Sequence, residues 1–253
     1  VYVRIRNDKD ETVVYTFTVT AVDPTATHTV TVTGGKASVD TAITGTSVVL
    51  TPDEAPAGYE FAGWVDGDGN KVDYPATMPG EDVSLNATWD AIAYEVTYIV
   101  DGNVYYGPKS VDFGTAIGEP SVPTKAGYTF NGWFDADGKK PADYGVMPAK
   151  NLEFTADWNA NTGIAYVVEI YEMNTDGKTY PATATEKNIL NDGVVGETVT
   201  IAPEAREGFV VDAEKSVLTD KIPESGTLVL KVYYIRNSFK LIVDVDGAVT
   251  ETE

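Results

Sequence analysis

The stretch Gly58-Tyr59-Glu60-Phe61-Ala62-Gly63-Trp64 decides the fold, because it returns 69 positions later (127 − 58) as Gly127-Tyr128-Thr129-Phe130-Asn131-Gly132-Trp133. At the same offset Met78-Pro79 returns as Met147-Pro148, and Trp89 returns as Trp158. Self-similarity at a fixed period is typical of small structural units arranged in tandem. The chain is therefore predicted to be an array of similar modules, and nothing in the repeat itself indicates catalysis.

The repeated stretch has the composition of a structural core. Gly58 permits a tight turn, and Tyr59 and Phe61 share one strand face. Gly63 lets the backbone bend so that Trp64 can reach the same core. Units of this size lie near the lower limit for independent folding, so each large side chain counts. The predicted repeat core comprises Gly58, Tyr59, Phe61, Trp64, Met78, Trp89, Gly127, Tyr128, Phe130, Trp133, Met147 and Trp158.

Strand patterns dominate the rest of each repeat. Apolar residues occupy alternate positions over 83–89 and again over 152–158, as in a strand with one buried face. The segment Asp66-Gly67-Asp68-Gly69-Asn70 has the chemistry of a turn between strands. Pro52 and Pro120 exclude a long helix in the middle of either repeat. The predicted fold class is mainly β with little helix, built as tandem small modules in an elongated array.

The module boundaries follow from these landmarks. Residues 1–23 are predicted to be a hairpin at the end of a preceding domain, 24–91 the first repeat module and 92–160 the second. Residues 161–237 form a divergent third module, in which Gly196-Glu197 resembles Gly45-Thr46 and Gly208-Phe209 stands where Gly58-Tyr59 would stand. This module has no Trp and no Met-Pro. Residues 238–253 are predicted to begin a following module or to form a tail.

Composition limits the partners of the chain. Its 253 residues include 18 Lys and Arg against 39 Asp and Glu, a formal net charge of −21. A surface this acidic repels phosphate groups, so nucleic acid and anionic membrane surfaces are not expected to bind. No run of 18 apolar residues occurs, so no membrane insertion is predicted in this segment. We expect a monomer whose first partners are the neighbouring domains of the same chain.

The side chains that chemistry would need are missing or misplaced. There is no Cys, and the sole histidine, His28, has no Ser or Asp at motif spacing, so no catalytic residues and no cofactor are predicted. Asp66, Asp68 and Asn70 mimic the first half of a calcium loop. Lys71 and Thr77 then occupy the sixth and twelfth positions, which require glycine and glutamate, so a hairpin turn is predicted instead of a metal site.

The second repeat resembles a known family. Pro123-Thr124-Lys125-Ala126-Gly127-Tyr128-Thr129-Phe130-Asn131-Gly132-Trp133, followed by Met147-Pro148 and Trp158, is similar to the internalin B-type repeat, also called the Listeria–Bacteroides repeat. The first repeat resembles it more loosely, without the Pro-Thr-Lys lead-in. The third module is similar to mucin-binding-protein-like repeats of Gram-positive surface proteins. The resemblance implies small β-grasp-like units in extracellular, cell-surface or cell-wall-attached proteins, with no enzymatic activity.

Two functions follow as expectations from this resemblance. The first is a structural spacer or stalk that presents other domains. The alternative is an adhesion module that binds host or microbial glycans or proteins, for which Tyr98, Tyr105, Tyr106, Tyr233 and Tyr234 could supply aromatic surface. The favoured interpretation of each adjacent tyrosine pair is that one ring is in the core and the other covers a sheet face or a joint. Exposed edge strands offer a further route to a partner.

Overall fold

The structure is a computed structural model, and it describes residues 2–6, 9, 12–16, 23, 25–72, 77–245 and 248–252. The chain begins with an antiparallel hairpin of β1 (Tyr2–Arg6) and β2 (Thr12–Thr16), as the alternating sequence predicts. Of the predicted first segment, residues 1, 7, 8, 10, 11 and 17–22 lie outside the described residues. Almost all regular structure is strand, and α1 (Pro141–Tyr144) is one helical turn. The mainly-β prediction is confirmed.

The first repeat forms a five-stranded sheet and a small two-stranded one. Its strands are β3 (Thr27–Thr33), β4 (Gly35–Ala37), β5 (Thr41–Ile43), β6 (Leu50–Pro52), β7 (Tyr59–Val65), β8 (Lys71–Val72) and β9 (Val83–Ala91). The large sheet has the order β5-β3-β9-β7-β8, and β4 pairs with β6. The first strand β3 and the last strand β9 are adjacent and parallel, whereas β7 and β9 are antiparallel.

The second repeat has the same strand order in a four-stranded sheet. Its strands are β10 (Ala93–Val100), β11 (Asn103–Asp112), β12 (Tyr128–Phe134) and β13 (Leu152–Ala160), ordered β11-β10-β13-β12. The predicted alternation of the last strand is confirmed in β13. There Leu152, Phe154 and Ala156 are buried, while the polar residues between them are exposed.

The third module repeats this order without the tryptophans. Its strands are β14 (Thr162–Glu172), β15 (Glu186–Val194), β16 (Thr198–Thr200), β17 (Phe209–Val211), β18 (Thr219–Lys221) and β19 (Val229–Arg236). The main sheet is ordered β15-β14-β19-β17, with β14 and β19 parallel, and β16 pairs with β18. A final hairpin, β20 (Leu241–Val245) and β21 (Ala248–Thr252), follows.

Proximity of Cα atoms groups the chain into two compact units. The first comprises Val1–Val96, Pro108–Ile117 and Tyr144–Leu152, and the second comprises Thr97–Gly107, Gly118–Asp143 and Glu153–Glu253. Within the first unit, one buried cluster consists of Val30, Ala42, Val48 and Met78. Within the second unit, one buried cluster consists of Tyr166, Val168, Ile170, Val195, Ile222, Leu228, Leu230, Val232 and Tyr234. Both clusters are apolar, and no buried residue in the described ranges is charged or polar.

Candidate functional site

The repeated glycine–aromatic stretch is built around a β-bulge. In β7 the pairing with β9 shifts between Phe61 and Gly63, and Gly63 has a φ of +138°. The extra residue places Phe61 opposite Trp89 and Trp64 opposite Ala87, so both aromatic side chains lie on one face of the sheet. The Phe61 ring makes edge contacts with Trp64 at 5.4 Å and with Trp89 at 5.6 Å between centroids. The glycine therefore brings three rings into one ladder.

The second repeat builds the same ladder with the same geometry. Gly132 has a φ of +143° at the equivalent bulge in β12. The Phe130 ring contacts Trp133 at 5.3 Å and Trp158 at 5.5 Å, both edge to face. Two copies of a ladder with nearly equal distances indicate that the motif is a packing unit.

The twelve predicted core residues are not equally buried. Trp64, Trp133, Met78 and Met147 lie in the buried core, whereas Trp89 and Trp158 are half-buried at the outer end of each ladder. Tyr59 and Phe61 are 36% and 38% exposed, so they lie at the margin of the core, where Phe61 contacts both tryptophans of its ladder. The assignment of these two side chains to the repeat core stays a prediction. Gly58 is buried, and Gly127, Tyr128 and Phe130 are half-buried. The Tyr59 ring contacts the ring of Phe113, a residue of the second repeat.

The repeated methionine, Met78 in the first repeat and Met147 in the second, joins two loops through its backbone hydrogen bonds. The Met78 N–H donates to the Thr46 carbonyl, and the Met78 carbonyl accepts from the Gly45 N–H, both at 2.8 Å. Met147 makes the same pair of bonds with Thr115 and Gly114. In the third module Ile222 does the same with Glu197 and Gly196, both at 2.9 Å. Sequence reasoning missed Ile222. The signal was present, since Ile222-Pro223 is an apolar–proline dipeptide like Met78-Pro79, but its distance from the preceding glycine differs.

Tyr98 is part of the core of the second repeat and is unavailable to a ligand. It is fully buried, with its ring centroid 5.0 Å from Trp133 and 5.4 Å from Phe154. Its hydroxyl donates to the Gly118 carbonyl at 2.8 Å. Burial, followed by the charge of Glu119, raises the pKa of Tyr98 to about 12. The interpretation of Tyr98 as a surface aromatic is therefore excluded.

Tyr98 should make the second repeat sensitive to alkali. Its pKa is raised in the folded state, so its contribution to stability is complete below pH 10.0 and is lost as the pH rises towards about 12. We expect Tyr98→Phe to flatten the fall in the free energy of unfolding over that range. At neutral pH the same change should cost about 1–2 kcal/mol, because the Gly118 carbonyl loses its donor. Urea unfolding followed by tryptophan fluorescence measures both effects.

A matched control removes a hydroxyl from the exposed residue Tyr59. At neutral pH, Tyr59→Phe should leave the free energy of unfolding close to its native value. An unchanged alkaline slope in Tyr98→Phe would contradict the assignment of this titration to Tyr98.

The adjacent tyrosines of β11 differ from the prediction. Tyr105 and Tyr106 are 41% and 40% exposed, so neither is in the core, and Val104 beside them is 60% exposed. The Tyr105 ring lies 5.8 Å from Trp133, and its hydroxyl is 3.2 Å from Ser121 Oγ. Strand β11 is at the edge of its sheet. Its segment Val104, Tyr105 and Tyr106 is called the exposed aromatic strand.

The tyrosine pair of the third module matches the prediction. Tyr234 is buried and its hydroxyl donates to the Glu204 carbonyl at 2.7 Å. Tyr233 is half-buried, and its ring is stacked on Tyr171 at 4.7 Å. Lys215 lies over the Tyr233 ring at 5.1 Å, so this aromatic face already has a cation from its own module.

In each aspartate-rich turn, the carboxylate of the first aspartate accepts hydrogen bonds from backbone N–H groups of the same turn. The Asp66 carboxylate accepts hydrogen bonds from the N–H groups of Asp68 at 3.0 Å and Asn70 at 2.8 Å. Hydrogen bonds from Asn70, its side chain first, lower the pKa of Asp66. Asp135 holds the equivalent turn of the second repeat through the N–H groups of Asp137 and Lys139. The predicted hairpin turn is confirmed, since β7 and β8 on either side of 66–70 pair antiparallel.

The described ranges contain little that could support chemistry. His28 lies in β3 opposite Ala42, and its buried Nε2 has no hydrogen-bond partner among the described residues. No group of three or more His, Cys, Asp or Glu side chains in those ranges could hold a metal ion. None of the helices found there has the length and hydrophobicity that a membrane span requires.

The fold and its repeated core define an array of small mainly-β modules with one strand order. Two protein-family models match the chain, one over each repeat. Residues 94–164 match the Listeria-Bacteroides repeat domain, and residues 18–93 match the divergent InlB B-repeat domain. Most of the third module lies outside both matches, and its similarity to mucin-binding-protein-like repeats stays a prediction.

Three relatives share similarity with parts of the chain. Internalin H of Listeria monocytogenes serovar 1/2a (strain EGD-e) is 36% identical over 125 residues, which is 46% of this chain and 22% of that protein. A putative membrane protein of Evansella cellulosilytica is 25% identical over 140 residues, covering 54% and 20%. A putative Gly-rich membrane protein of the same organism is 30% identical over 148 residues, covering 51% and 17%. The matched segments thus span about a fifth of each relative's length.

Proposed function

We propose that the chain is a non-catalytic spacer of a bacterial cell-surface protein, which carries other domains outward. The observation that carries the proposal is the threefold recurrence of one strand order, in which adjacent first and last strands occupy the centre of the sheet. We further propose that each module is β-grasp-like. Similarity to internalin H and to two putative membrane proteins supports a cell-surface location. Attachment to a Gram-positive cell wall is a further part of the proposal.

Three further features support a spacer. The large aromatic side chains of each repeat are used mainly for packing within the array, as in the two ladders. The net charge of −21 keeps an extended chain soluble and unaggregated. Modules that contact only their neighbours have a stability close to the sum of unit and nearest-neighbour terms, so such an array can be lengthened without a new core.

Small-angle X-ray scattering of the 253-residue chain tests the spacer proposal. A compact globule of this length would have a radius of gyration of about 18 Å. We expect a clearly larger value, with a pair-distance distribution skewed to long distances. A radius close to that of a globule would contradict the proposal.

A second candidate function is adhesion, which the exposed aromatic strand of Val104, Tyr105 and Tyr106 favours. Aromatic faces and a free strand edge both suit glycan or protein ligands. Screening the chain against glycans and mucins tests this candidate. Binding that is lost in the Tyr105→Ala variant and retained in Ile189→Ala, which changes an exposed residue of β15, would favour adhesion over the spacer.

A further inference from the structure

The same pair of hydrogen bonds occurs at the end of the first repeat and at the end of the second. Ile92, which follows β9, donates to the Gly58 carbonyl at 2.8 Å and accepts from Phe113 N–H at 2.9 Å. Asn161, which follows β13, donates to the Gly127 carbonyl at 2.9 Å and accepts from Val195 N–H at 3.1 Å. One linker residue thus joins the glycine of its own module to a loop of the next module.

The loop that is reached is equivalent in the two cases. Phe113 and Val195 each stand directly before a glycine with positive φ, Gly114 at +76° and Gly196 at +79°. These glycines are the ones whose N–H groups bond to the carbonyls of Met147 and Ile222. The linker residue is therefore connected, through two loop residues, to the buried apolar residue of the apolar–proline dipeptide in the following module.

Side chains fill the same space at the first of these joints. The Tyr59 ring meets the Phe113 ring edge to face at 5.3 Å. A Cβ added at Gly58 would overlap the Phe113 ring, 2.6 Å from its Cδ1. Gly58 is thus kept free of a side chain by a residue of the next module and not by its own.

The second joint is packed in the same way. Tyr128 and Ala160 pack against the buried cluster of the third module. A Cβ added at Gly127 would lie 2.9 Å from Val195 Cγ1 and 2.9 Å from the Glu224 carbonyl oxygen. A Cβ at Gly196 would lie 3.4 Å from the Tyr128 hydroxyl oxygen. The glycine and the aromatic residue that follows it again contact the next module.

We propose that the Gly–aromatic dipeptide and the linker residue form a docking element whose partner is the following module of the same chain. The element recognises an apolar residue placed directly before a positive-φ glycine, and it couples the folding stability of neighbouring modules. This inference deepens the proposed spacer function, and the biological role of the docking element rests on that proposal. The coupling between modules is argued only from the contacts at the two joints. Scattering tests the shape of the chain, and exchange tests the coupling, so the two can fail separately.

The third module has one of the two hydrogen bonds, the bond from the residue after its last strand to its own turn glycine. Asn237 N–H donates to the Gly208 carbonyl at 2.8 Å, and Gly208 has a φ of +78°. No heavy atom among the described residues lies within 4 Å of a Cβ added there. The internal bond therefore belongs to each module, whereas the crowding of the glycine comes from a neighbour.

Matched glycine variants of the full chain separate coupling from backbone strain. Gly58→Ala and Gly127→Ala place a methyl group in a joint at φ values of +86° and +76°. Their controls, Gly69→Ala and Gly138→Ala, change glycines of the same two modules at +87° and +78°, with no atom within 4 Å. All four variants carry a similar left-handed strain, and only the first two meet the next module.

Hydrogen–deuterium exchange at the amides of Phe113 and Val195 is the measurement. We expect Gly58→Ala to speed exchange at Phe113, and Gly127→Ala at Val195, by at least about tenfold. The two control variants should leave both amides as they are in the native chain. Native exchange at Phe113 and Val195 in the joint variants, or equal loss in the controls, would overturn the proposal.

A double variant guards against general misfolding of Gly58→Ala. Phe113→Ala removes the ring that the added methyl group would overlap. In that background we expect Gly58→Ala to lower the melting temperature no more than Gly69→Ala does. An equal extra loss with and without the Phe113 ring would show that the cost arises inside the first module, and it would overturn the coupling.

Discussion

Trp133→Ala should lower the free energy of unfolding of the second repeat by about 3–5 kcal/mol, which is enough to unfold a module of this size. The side chain is 2% exposed. Its ring centroid lies 5.0 Å from that of Tyr98 and 5.3 Å from that of Phe130, so truncation leaves a cavity in the core of the second repeat. Urea unfolding followed by far-ultraviolet circular dichroism measures the loss.

Trp158→Ala is the matched control within the same ladder. Trp158 is half-buried, and its buried Nε1 has no hydrogen-bond partner among the described residues. Removing it loses less apolar burial and also removes an unpaired donor, so the cost should be clearly smaller. If Trp133→Ala retained native stability and instead abolished binding of a ligand, Trp133 would be a binding residue, and its assignment to the core would be wrong.

The bulge that brings Phe61 and Trp64 to one face could be predicted from the sequence, because it depends on residues that are close together in the chain. Phe61 and Trp64 are three positions apart and would face opposite sides of a regular strand. Gly63 between them is the residue that a bulge favours, and one extra residue restores a common face. The observed register shift at Gly63 follows from that spacing alone.

The exposures of Tyr59 and Tyr105 could not be predicted in this way, because they depend on contacts distant in sequence. Tyr59 belongs to the alternating face of β7, but the ring that covers it is Phe113 of the next repeat. Tyr105 and Tyr106 form an adjacent pair like Tyr233 and Tyr234, yet only the second pair contributes a buried ring. Whether a second layer covers the face of an edge strand is set by the packing of other segments.

Ile222 shows how a backbone pairing that recurs in all three modules can be hidden in the sequence by a change in the length of the intervening segment. The turn glycine and the apolar–proline dipeptide are 33 residues apart in the first repeat (78 − 45) and 26 apart in the third module (222 − 196). A search at fixed offset therefore misses the third copy. The backbone pairing of Ile222 with Gly196 and Glu197 reveals it, because hydrogen bonds depend on position in the fold and not on spacing.

Ile222→Ala should cost the third module about 2–5 kcal/mol, because the side chain is 1% exposed and belongs to the buried cluster of that module. Ile222→Met should cost less than about 1.5 kcal/mol, since the volume is similar and methionine occupies the equivalent position in both repeats. The backbone hydrogen bonds to Gly196 and Glu197 do not involve the side chain, so both variants retain them.

The measurement must report on the third module, which has no tryptophan. Hydrogen–deuterium exchange in peptides that cover β14 and β19 gives its local free energy of opening. Val210→Ala, which truncates a side chain that is 53% exposed, is the control and should change that value by no more than about 0.5 kcal/mol. If Ile222→Ala cost as little as the control, or if Ile222→Met cost as much as Ile222→Ala, the third module would not share the methionine position of the repeats.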